Sequence, residues 1–529
     1  MKKALSLVLA LVTLVCLWGC KGKPQLEPAA DPIDDNYRVF YQIFVGSFSD
    51  SNSDGKGDLR GIIQRMDYLN DGNINSGESL GVQGLWLSPI FKSPSYHKYD
   101  VADYYQIDPR FGTQEDLCDL IAICYERNVK VIIDLPINHT SKNNQWFSEF
   151  CTAHKNGDTQ NPYYDYYTYT DLQGCKGGHT YNIIQGCSNE YYECNFATDM
   201  PELNFDNQQV RQLVVDIAKY YLDLGVDGFR FDAIKYIYYA DTQSSVDFWN
   251  WYMEQLRAIK PDIYCVGECW SGDAETLRYV QSLNCFDFQM AQAEGFIANA
   301  AKGVPMSTFT NYVEKYSGQV KAANPNGMMI SFISNHDMDR SAGYLTMASK
   351  MNYMAANLYL LCCGSPFIYY GEEIGIKGSR ASAQTDANRR VAMLWGDDDT
   401  IKDPADTTYL ASKQTNGTVA EQLKNEDSLL NYYCRVIALR NKYPAIARGD
   451  YKAINYSQAC FGGFLVSYQS QSIGIFHNTS EREVKIDLKS SQNTYDFTFT
   501  LVLDYIGQGT AQLEDGILTI GPQTSVIMG

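Results

Sequence analysis

Four stretches of the sequence combine carboxylates, histidines and an arginine at the ends of short apolar runs. Val129 to Ile133 leads into Asp134, with Asn138 and His139 just beyond, and Gly225 to Phe231 carries Arg230 and ends at Asp232. Cys265 to Gly267 ends at Glu268, and Met329 to Ile333 leads into Asn335, His336 and Asp337. There is neither a Ser-His-Asp order nor an HExxH spacing, so the chemistry indicated is that of carboxylates acting on an acetal. One attacks the anomeric carbon while a second, kept protonated, donates to the leaving oxygen. Arg230 lies two residues from Asp232, so in an extended strand both point the same way and the guanidinium favours the ionised carboxylate a nucleophile requires. Glu268 follows an apolar strand and precedes Cys269 and Trp270, a setting of low polarity that raises a carboxyl toward the range of a general acid. Asp337 is left to stabilise positive charge developing on the sugar. Helix capping would account for any one of these charges; it accounts poorly for the set.

The elements that must position them recur as a strand and helix rhythm from Tyr37 to about Pro444. The apolar runs predict strands at Val39–Val45, Gly84–Leu87, Val129–Asp134, Val226–Phe231, Ile263–Gly267, Cys285–Phe288, Met328–Ile333 and Pro366–Tyr370. Eight parallel strands spread over roughly 400 residues fit an α/β fold of the closed (β/α)8 barrel type better than an open doubly wound sheet. A glycine-rich nucleotide fingerprint is missing from the first strand turn. In a barrel the strand C-termini share one face, so polar groups far apart in sequence meet over one cleft. Between Thr140 and Asn204 the rhythm breaks into a stretch rich in Tyr, Gly, Asn and Cys, read as an insertion after the third strand that overhangs the cleft, where tyrosines can stack on sugar faces. Ser428 to Lys442 reads as the last barrel helix, and after Gly449 short alternating runs at Phe464–Tyr468, Val484–Leu488, Phe497–Leu503 and Ile517–Ile520 predict an antiparallel β-sandwich. The division expected is a barrel over 37–139 and 205–446, an insertion over 140–204 and a C-terminal sandwich over 447–529.

Composition sets the remaining bounds. Lys and Arg total 43 against 62 Asp and Glu, a net charge of −19, which disfavours a phosphate-tracking groove and hence nucleic acid. Mean hydropathy is −0.31, so the chain does not read as a polytopic membrane protein. Lys2 and Lys3 followed by an apolar run from Ala4 to Trp18 read as an export signal over residues 1–19. Leu17-Trp-Gly-Cys20 resembles a bacterial lipobox, which implies a lipid anchor at Cys20 and a tether over 20–36; plain secretion is the alternative. Fifteen Cys are present. Cys118, Cys124, Cys265, Cys285, Cys362 and Cys363 sit in apolar patterns and read as packing, whereas Cys151, Cys175, Cys187 and Cys194 lie in a polar stretch that leaves a disulfide open.

Asp134-Leu-Pro-Ile-Asn-His139, Gly228-Phe-Arg-Phe-Asp-Ala-Ile-Lys235, Val266-Gly-Glu-Cys-Trp270 and Ser334-Asn-His-Asp337 resemble, in order and spacing, the four signature regions of the α-amylase family, glycoside hydrolase family 13. Met200-Pro-Glu-Leu-Asn204 and Tyr369-Tyr-Gly-Glu-Glu-Ile-Gly375 resemble auxiliary motifs of the same family. The resemblance implies Asp232 as nucleophile, Glu268 as acid/base and Asp337 as transition-state stabiliser. It further implies that Tyr99, Asp100, His139, Arg230 and His336 contact the sugar at the cleaved bond, and that Lys235 and Arg340 touch neighbouring glucose units. Ala233 and Lys235 resemble α-1,4 endo-acting members; the 200–204 stretch is closer to an intermediate, neopullulanase-like group with mixed α-1,4 and α-1,6 action. Asp50, Asn52, Asp54, Lys56 and Asp58 fall at loop positions one, three, five, seven and nine, with Gly55 at six, the spacing of an oxygen-donor loop for Ca2+. The expectation is a monomeric, lipid-anchored or secreted α-glucan hydrolase with calcium as its cofactor.

Overall fold

The computed structural model describes residues 35–73, 76–380 and 384–529. The expected export signal over residues 1–19 and the expected anchor at Cys20 fall outside the described residues. No helix among them is long and apolar enough to cross a membrane.

Seven parallel strands are hydrogen-bonded in the order Asn284–Cys285, Tyr264–Gly267, Gly228–Phe231, Lys130–Leu135, Gly84–Leu87, Phe40–Ile43 and Phe367–Tyr369. The segment 328–333, expected as a full strand, is bridged only at Ile330 to Phe286. Its carbonyls nevertheless complete the sheet. Asp287 N–H donates to Ile330 at 2.9 Å on one side, and Ser365 and Phe367 N–H donate to Met329 and Ser331 at 3.0 and 2.8 Å on the other. These bonds join the two sheet edges and close an eight-membered barrel, which leaves no open edge.

Strand residues alternate between the barrel interior and the surrounding helices. Phe40, Trp86, Ile132, Tyr264, Val266, Phe286, Ile330 and Phe367 form the interior cluster, with Phe40 stacked on Phe367 at 4.7 Å and on Tyr264 at 4.6 Å. Gly84, paired with Phe40, makes room for it: a Cβ there would fall 2.4 Å from the Phe40 ring. Two residues beyond Phe40, Ile132 and Val266, the same faces present Gln42, Asp134 and Glu268, so a polar layer caps the aromatic one. Outside, helices separate successive strands, among them Gln114–Glu126, Gln208–Asp223, Thr242–Ile259 and Met306–Ala323. Gln208–Asp223 shows why they dock: Asn207 caps its N-terminus, and Val210, Val214, Ile217 and Tyr221 repeat at helical spacing to bury one stripe. Leu429–Lys442, capped by Ser428, is the last barrel helix.

The insertion is built from the helix Gln145–Asn156 and three short antiparallel strands in the order Tyr169–Thr170, Tyr191–Glu193, Tyr181–Ile183. Its tyrosines mostly serve its own core. Tyr167 is fully buried against Phe147 and Phe150, and Tyr164 stacks on His154 at 4.0 Å. Cys151, Cys175, Cys187 and Cys194 are free thiols. After the barrel, a five-stranded antiparallel sheet and the three-stranded sheet Val484–Asp487, Ile517–Ile520, Ala511–Glu514 share one apolar cluster that includes Phe461, Phe476, Ile486 and Leu518. The strand expected at Phe497–Leu503 lies at Val502–Gly507 instead. Phe497 and Phe499 pack ring to ring at 5.0 Å outside any strand, so their apolar pattern reports burial rather than pairing.

Candidate active site

Parallel register sets the centre of the site, because Asp134 on the third strand pairs directly with Arg230 on the fourth. One guanidinium nitrogen of Arg230 donates to both Asp134 oxygens at 2.8 and 2.9 Å and to Asp232 Oδ1 at 2.7 Å; the other donates to Glu268 Oε2 at 2.5 Å. Asp134 and Arg230 are fully buried, while Asp232 and Glu268 each keep 13% of their side-chain surface. The chain turns sharply after Asp232: Ala233 adopts a left-handed φ of 48°, a conformation uncommon outside glycine, and aims its N–H at Glu268 Oε2, 3.2 Å away. Trp86 Nε1 and the Tyr99 hydroxyl also donate to Asp134 Oδ2, at 3.3 and 2.8 Å. Asp134 thus gathers Arg230, Trp86 and Tyr99 beneath the cleft.

Asp337 approaches from the seventh position of the barrel. Arg390 Nη2 donates to its Oδ1 at 2.6 Å and His336 Nε2 lies 3.1 Å from its Oδ2. His336 is set by Gln42, 2.8 Å from its Nδ1, and by the Tyr99 hydroxyl, 2.6 Å from its Nε2. Arg390 also donates to the His336 carbonyl at 3.0 Å and to the Tyr96 hydroxyl at 3.0 Å, and Arg389 donates to the Asp337 carbonyl at 2.7 Å.

These surroundings drive the three carboxyls apart. Burial pushes Glu268 up to about 7, with the charges of Asp232 and Asp337 adding to it and Arg230 opposing. Burial also pushes Asp232 up, to about 6, although Arg230 pulls it down. The expected ionising influence of Arg230 is present but does not outweigh desolvation. Asp337 goes the other way: burial favours its neutral form, but the charge and hydrogen bond of His336, with Arg390 and Arg230, hold it well below the usual carboxylate range. Asp232 and Glu268 accept from the two nitrogens of one guanidinium, so the two carboxyls stand side by side at the cleft.

All three carboxylates open into a cavity of about 920 Å³, together with Tyr99, His139, Lys235, Trp270 and Arg390. His139 is buried at the cavity wall, and burial pushes it down to about 4, with the charge of Asp100 and the Tyr99 backbone opposing. Lys235 Nζ donates to the Trp270 carbonyl at 2.8 Å on the cavity wall. Four expected sugar contacts do not line the cavity: Arg230 and His336 lie buried against its carboxylates, and Asp100 and Arg340 are engaged elsewhere. Asp100 is buried beneath it and accepts from the hydroxyls of Ser93 and Ser95. Arg340 is buried with its guanidinium donating to the carbonyls of Arg389 and Tyr370 at 2.9 and 2.6 Å, where it braces a loop. The cation beside the carboxylates is instead Arg390, which no sequence signal marks because it lies 53 residues from Asp337 in the loop after the eighth strand. Phe196, the insertion's aromatic on the cavity wall, sits 5.1 Å from His139 and 5.2 Å from Tyr236 and was likewise unmarked.

The 50–58 loop forms as a series of side-chain turns. Asp50 Oδ1 accepts from the N–H of Asn52 and Ser53 at 3.1 and 2.8 Å, and its Oδ2 from Gly55 N–H at 2.7 Å and Thr400 Oγ1 at 2.6 Å. Asn52 and Asp54 accept from the N–H groups of Asp54 and Lys56, and Asp58 caps the helix Leu59–Gln64 while accepting from Ser51. Among the described residues no group of three or more His, Cys, Asp or Glu side chains could hold a metal ion. In this arrangement the oxygens of Asp50, Asn52 and Asp54 are engaged by N–H groups of the loop and by Thr400.

A (β/α)8 barrel whose strand ends bring together two carboxyls on one guanidinium and a third, strongly ionised carboxylate is the equipment of a glycoside hydrolase. The chain belongs to the α-amylase family: the model for the α-amylase catalytic domain matches residues 42–449. It is 32% identical over 477 residues to α-amylase 3 of Dictyoglomus thermophilum, covering 89% of this chain and 88% of that one. An oligo-1,6-glucosidase of Bacillus cereus is 28% identical over 508 residues, covering 81% of this chain and 88% of that one. Among solved structures, Eubacterium rectale Amy13B superposes with a TM-score of 0.85 at 33% identity, covering 95% of this chain and 99% of that one.

Proposed function

We propose that this protein is a retaining α-glucan hydrolase that cleaves α-1,4-glucosidic bonds within starch and maltodextrins. The observation that carries the reading is the single guanidinium of Arg230 holding Asp232 by one nitrogen and Glu268 by the other. In this reading Asp232 attacks the anomeric carbon as Glu268 protonates the glycosidic oxygen, and the bond to the leaving sugar breaks. Glu268 then takes a proton from water, whose oxygen displaces Asp232 and restores both carboxyls. Asp337, ionised and facing the same cavity, stabilises the positive charge that develops on the sugar at each step. Tyr99, His139 and Lys235, on the cavity wall, supply sugar contacts.

The α-1,4 preference rests on Ala233 and Lys235 after the nucleophile and on the α-amylase relative. A second reading, a neopullulanase-like or α-1,6-acting enzyme, is favoured by the Met200–Asn204 stretch and by the oligo-1,6-glucosidase relative. Parallel digests of amylose and pullulan separate the two: rapid shortening of amylose supports the first, whereas panose from pullulan with little attack on amylose overturns it. Asp232→Asn is expected to abolish hydrolysis while maltodextrin binding persists; undiminished turnover would refute the nucleophile assignment.

Calcium at Asp50, Asn52, Asp54, Lys56 and Asp58 is supported by spacing alone, and a bound ion would have to displace the N–H donors now on those oxygens. No catalytic step depends on it. A melting temperature unmoved by EDTA, with no bound metal in native mass spectrometry, removes calcium from the account; a fall of several degrees reversed by Ca2+ retains it. Export and lipidation at Cys20 are part of the proposal on sequence grounds, and labelling with a fatty acid that Cys20→Ala abolishes is the expected result.

A further inference from the structure

We propose that Glu372 is a positioning residue for hydrolysis, fixing the Ser334–Asp337 loop so that Asp337 is held where the sugar's charge develops. The inference rests on the reading of Asp337 as a charge-stabilising group. Glu372 and Glu373 are consecutive buried carboxyls just beyond the eighth strand, and neither touches the cavity. Glu372 Oε1 accepts from the hydroxyls of Tyr359 and Tyr433 at 2.7 and 3.2 Å, and its Oε2 from Ser334 Oγ at 2.8 Å. Tyr359 stands on the helix Met351–Leu360 and Tyr433 on Leu429–Lys442, so the carboxyl ties two outer helices to the loop that carries His336 and Asp337. Glu373 makes a parallel tie, through the Tyr41 hydroxyl at 2.6 Å to the first strand, next to the Gln42 that sets His336, and through the Tyr68 hydroxyl at 2.5 Å to the short helix Met66–Leu69.

The arrangement is costly if packing is all it provides. Burial pushes Glu372 up to about 7, with Glu373 adding to it and the three hydroxyl donors opposing. An apolar side chain would fill the same volume without desolvating a carboxyl. Among the described residues, the other side-chain holds on the loop's active-site half act at residues 336 and 337: Gln42 and Tyr99 on the His336 ring, Arg390 on the His336 carbonyl and the Asp337 carboxylate, and Arg389 on the Asp337 carbonyl. On the N-terminal side the Ile333 carbonyl accepts from Gln292 N–H at 2.9 Å and from the Tyr344 hydroxyl at 3.2 Å, and Ser334 to Glu372 is the side-chain hold at the first residue of the loop itself. Without it the loop can pivot about the arginines, and a displacement near 1 Å at a reacting group can cost about a hundredfold in rate.

The test uses Ser334→Ala, Glu372→Gln and the double variant of the full chain, with maltoheptaose as substrate. Each single variant is expected to lower kcat about tenfold or more with KM within about threefold, because what is lost is needed in the transition state rather than for binding. Since both changes break one contact, the double variant should be no slower than the slower single one. Wild-type kcat in folded Ser334→Ala, a loss confined to KM, or losses that multiply in the double variant would each overturn the proposal. If Glu372→Gln does not fold, the kcat of Ser334→Ala decides. A wild-type enzyme inert toward maltoheptaose defeats the functional reading itself; an active wild type with an unimpaired Ser334→Ala defeats only the role of Glu372.

Discussion

Replacing Arg230 with lysine tests how the site keeps its nucleophile charged. The guanidinium serves three carboxylates from two nitrogens while only 1% exposed. Lysine keeps the charge but has one nitrogen and no fork. It is expected to stay with Asp134, the deepest partner and the one already receiving Tyr99 and Trp86, and to release Asp232 and Glu268. The loss of a buried charge contact should cost about 3–5 kcal/mol of stability, discounted where the lysine keeps its bond to Asp134. For activity the working quantity is the ionised fraction of Asp232. With that group at about 6, roughly half the molecules carry an ionised nucleophile at pH 6, and each further unit of upward shift, about 1.4 kcal/mol, costs close to tenfold on the acidic side. Losing the pull of Arg230 should therefore move the acidic limb of the kcat/KM profile of Arg230→Lys to higher pH by about one unit. Initial rates on maltoheptaose from pH 4 to 9, with melting curves at each pH, measure both effects. An acidic limb at the wild-type position with kcat within a factor of three would refute the claim that Arg230 tunes Asp232.

The wild-type profile itself should be a narrow bell. Activity is lost as pH falls through about 6, where Asp232 takes a proton, and again as pH rises through about 7, where Glu268 loses one; a plateau from pH 4 to 9 would contradict these assignments. Tyr99→Phe removes hydroxyl contacts to Asp134 and His336 and should lower kcat roughly 10–100-fold, on the scale of a hydrogen bond to a charged group; an unchanged kcat would place Tyr99 in ring contact alone. Gly84→Ala puts a methyl against the Phe40 ring and should cost about 1–3 kcal/mol in denaturant unfolding without moving the pH profile. Stability within 0.5 kcal/mol of wild type would mean that the interior repacks freely.

The sequence carried the barrel further than it carried the site. Gly84–Leu87 was legible to the residue, and the other strands to within a few, because strands buried on both faces read as continuous apolar runs. The 328–333 segment shares that signature yet bridges only at Ile330, since hydrophobicity reports burial and not the regularity of a ladder. The same reason moved one sandwich strand from 497–503 to 502–507. Asp232, Glu268 and Asp337 were legible because each ends a strand on the shared face. Asp100 and Arg340 lie outside those motifs and point into hydroxyls and backbone carbonyls. Arg390 and Phe196 reach the cavity from long irregular segments with no periodicity that could aim them. Burial also reversed one expectation of degree: Arg230 lies against Asp232 as its spacing implies, but desolvation outweighs it.

The central claim is that Asp232 becomes covalently bonded to sugar. Mass spectrometry of the enzyme after reaction with a fluorosugar α-glycosyl fluoride that slows the second displacement tests this directly. The account predicts one added sugar per chain, mapped by peptide fragmentation to Asp232, with release restoring both activity and mass. No adduct during measurable turnover, or an adduct on Glu268 or Asp337, would contradict it.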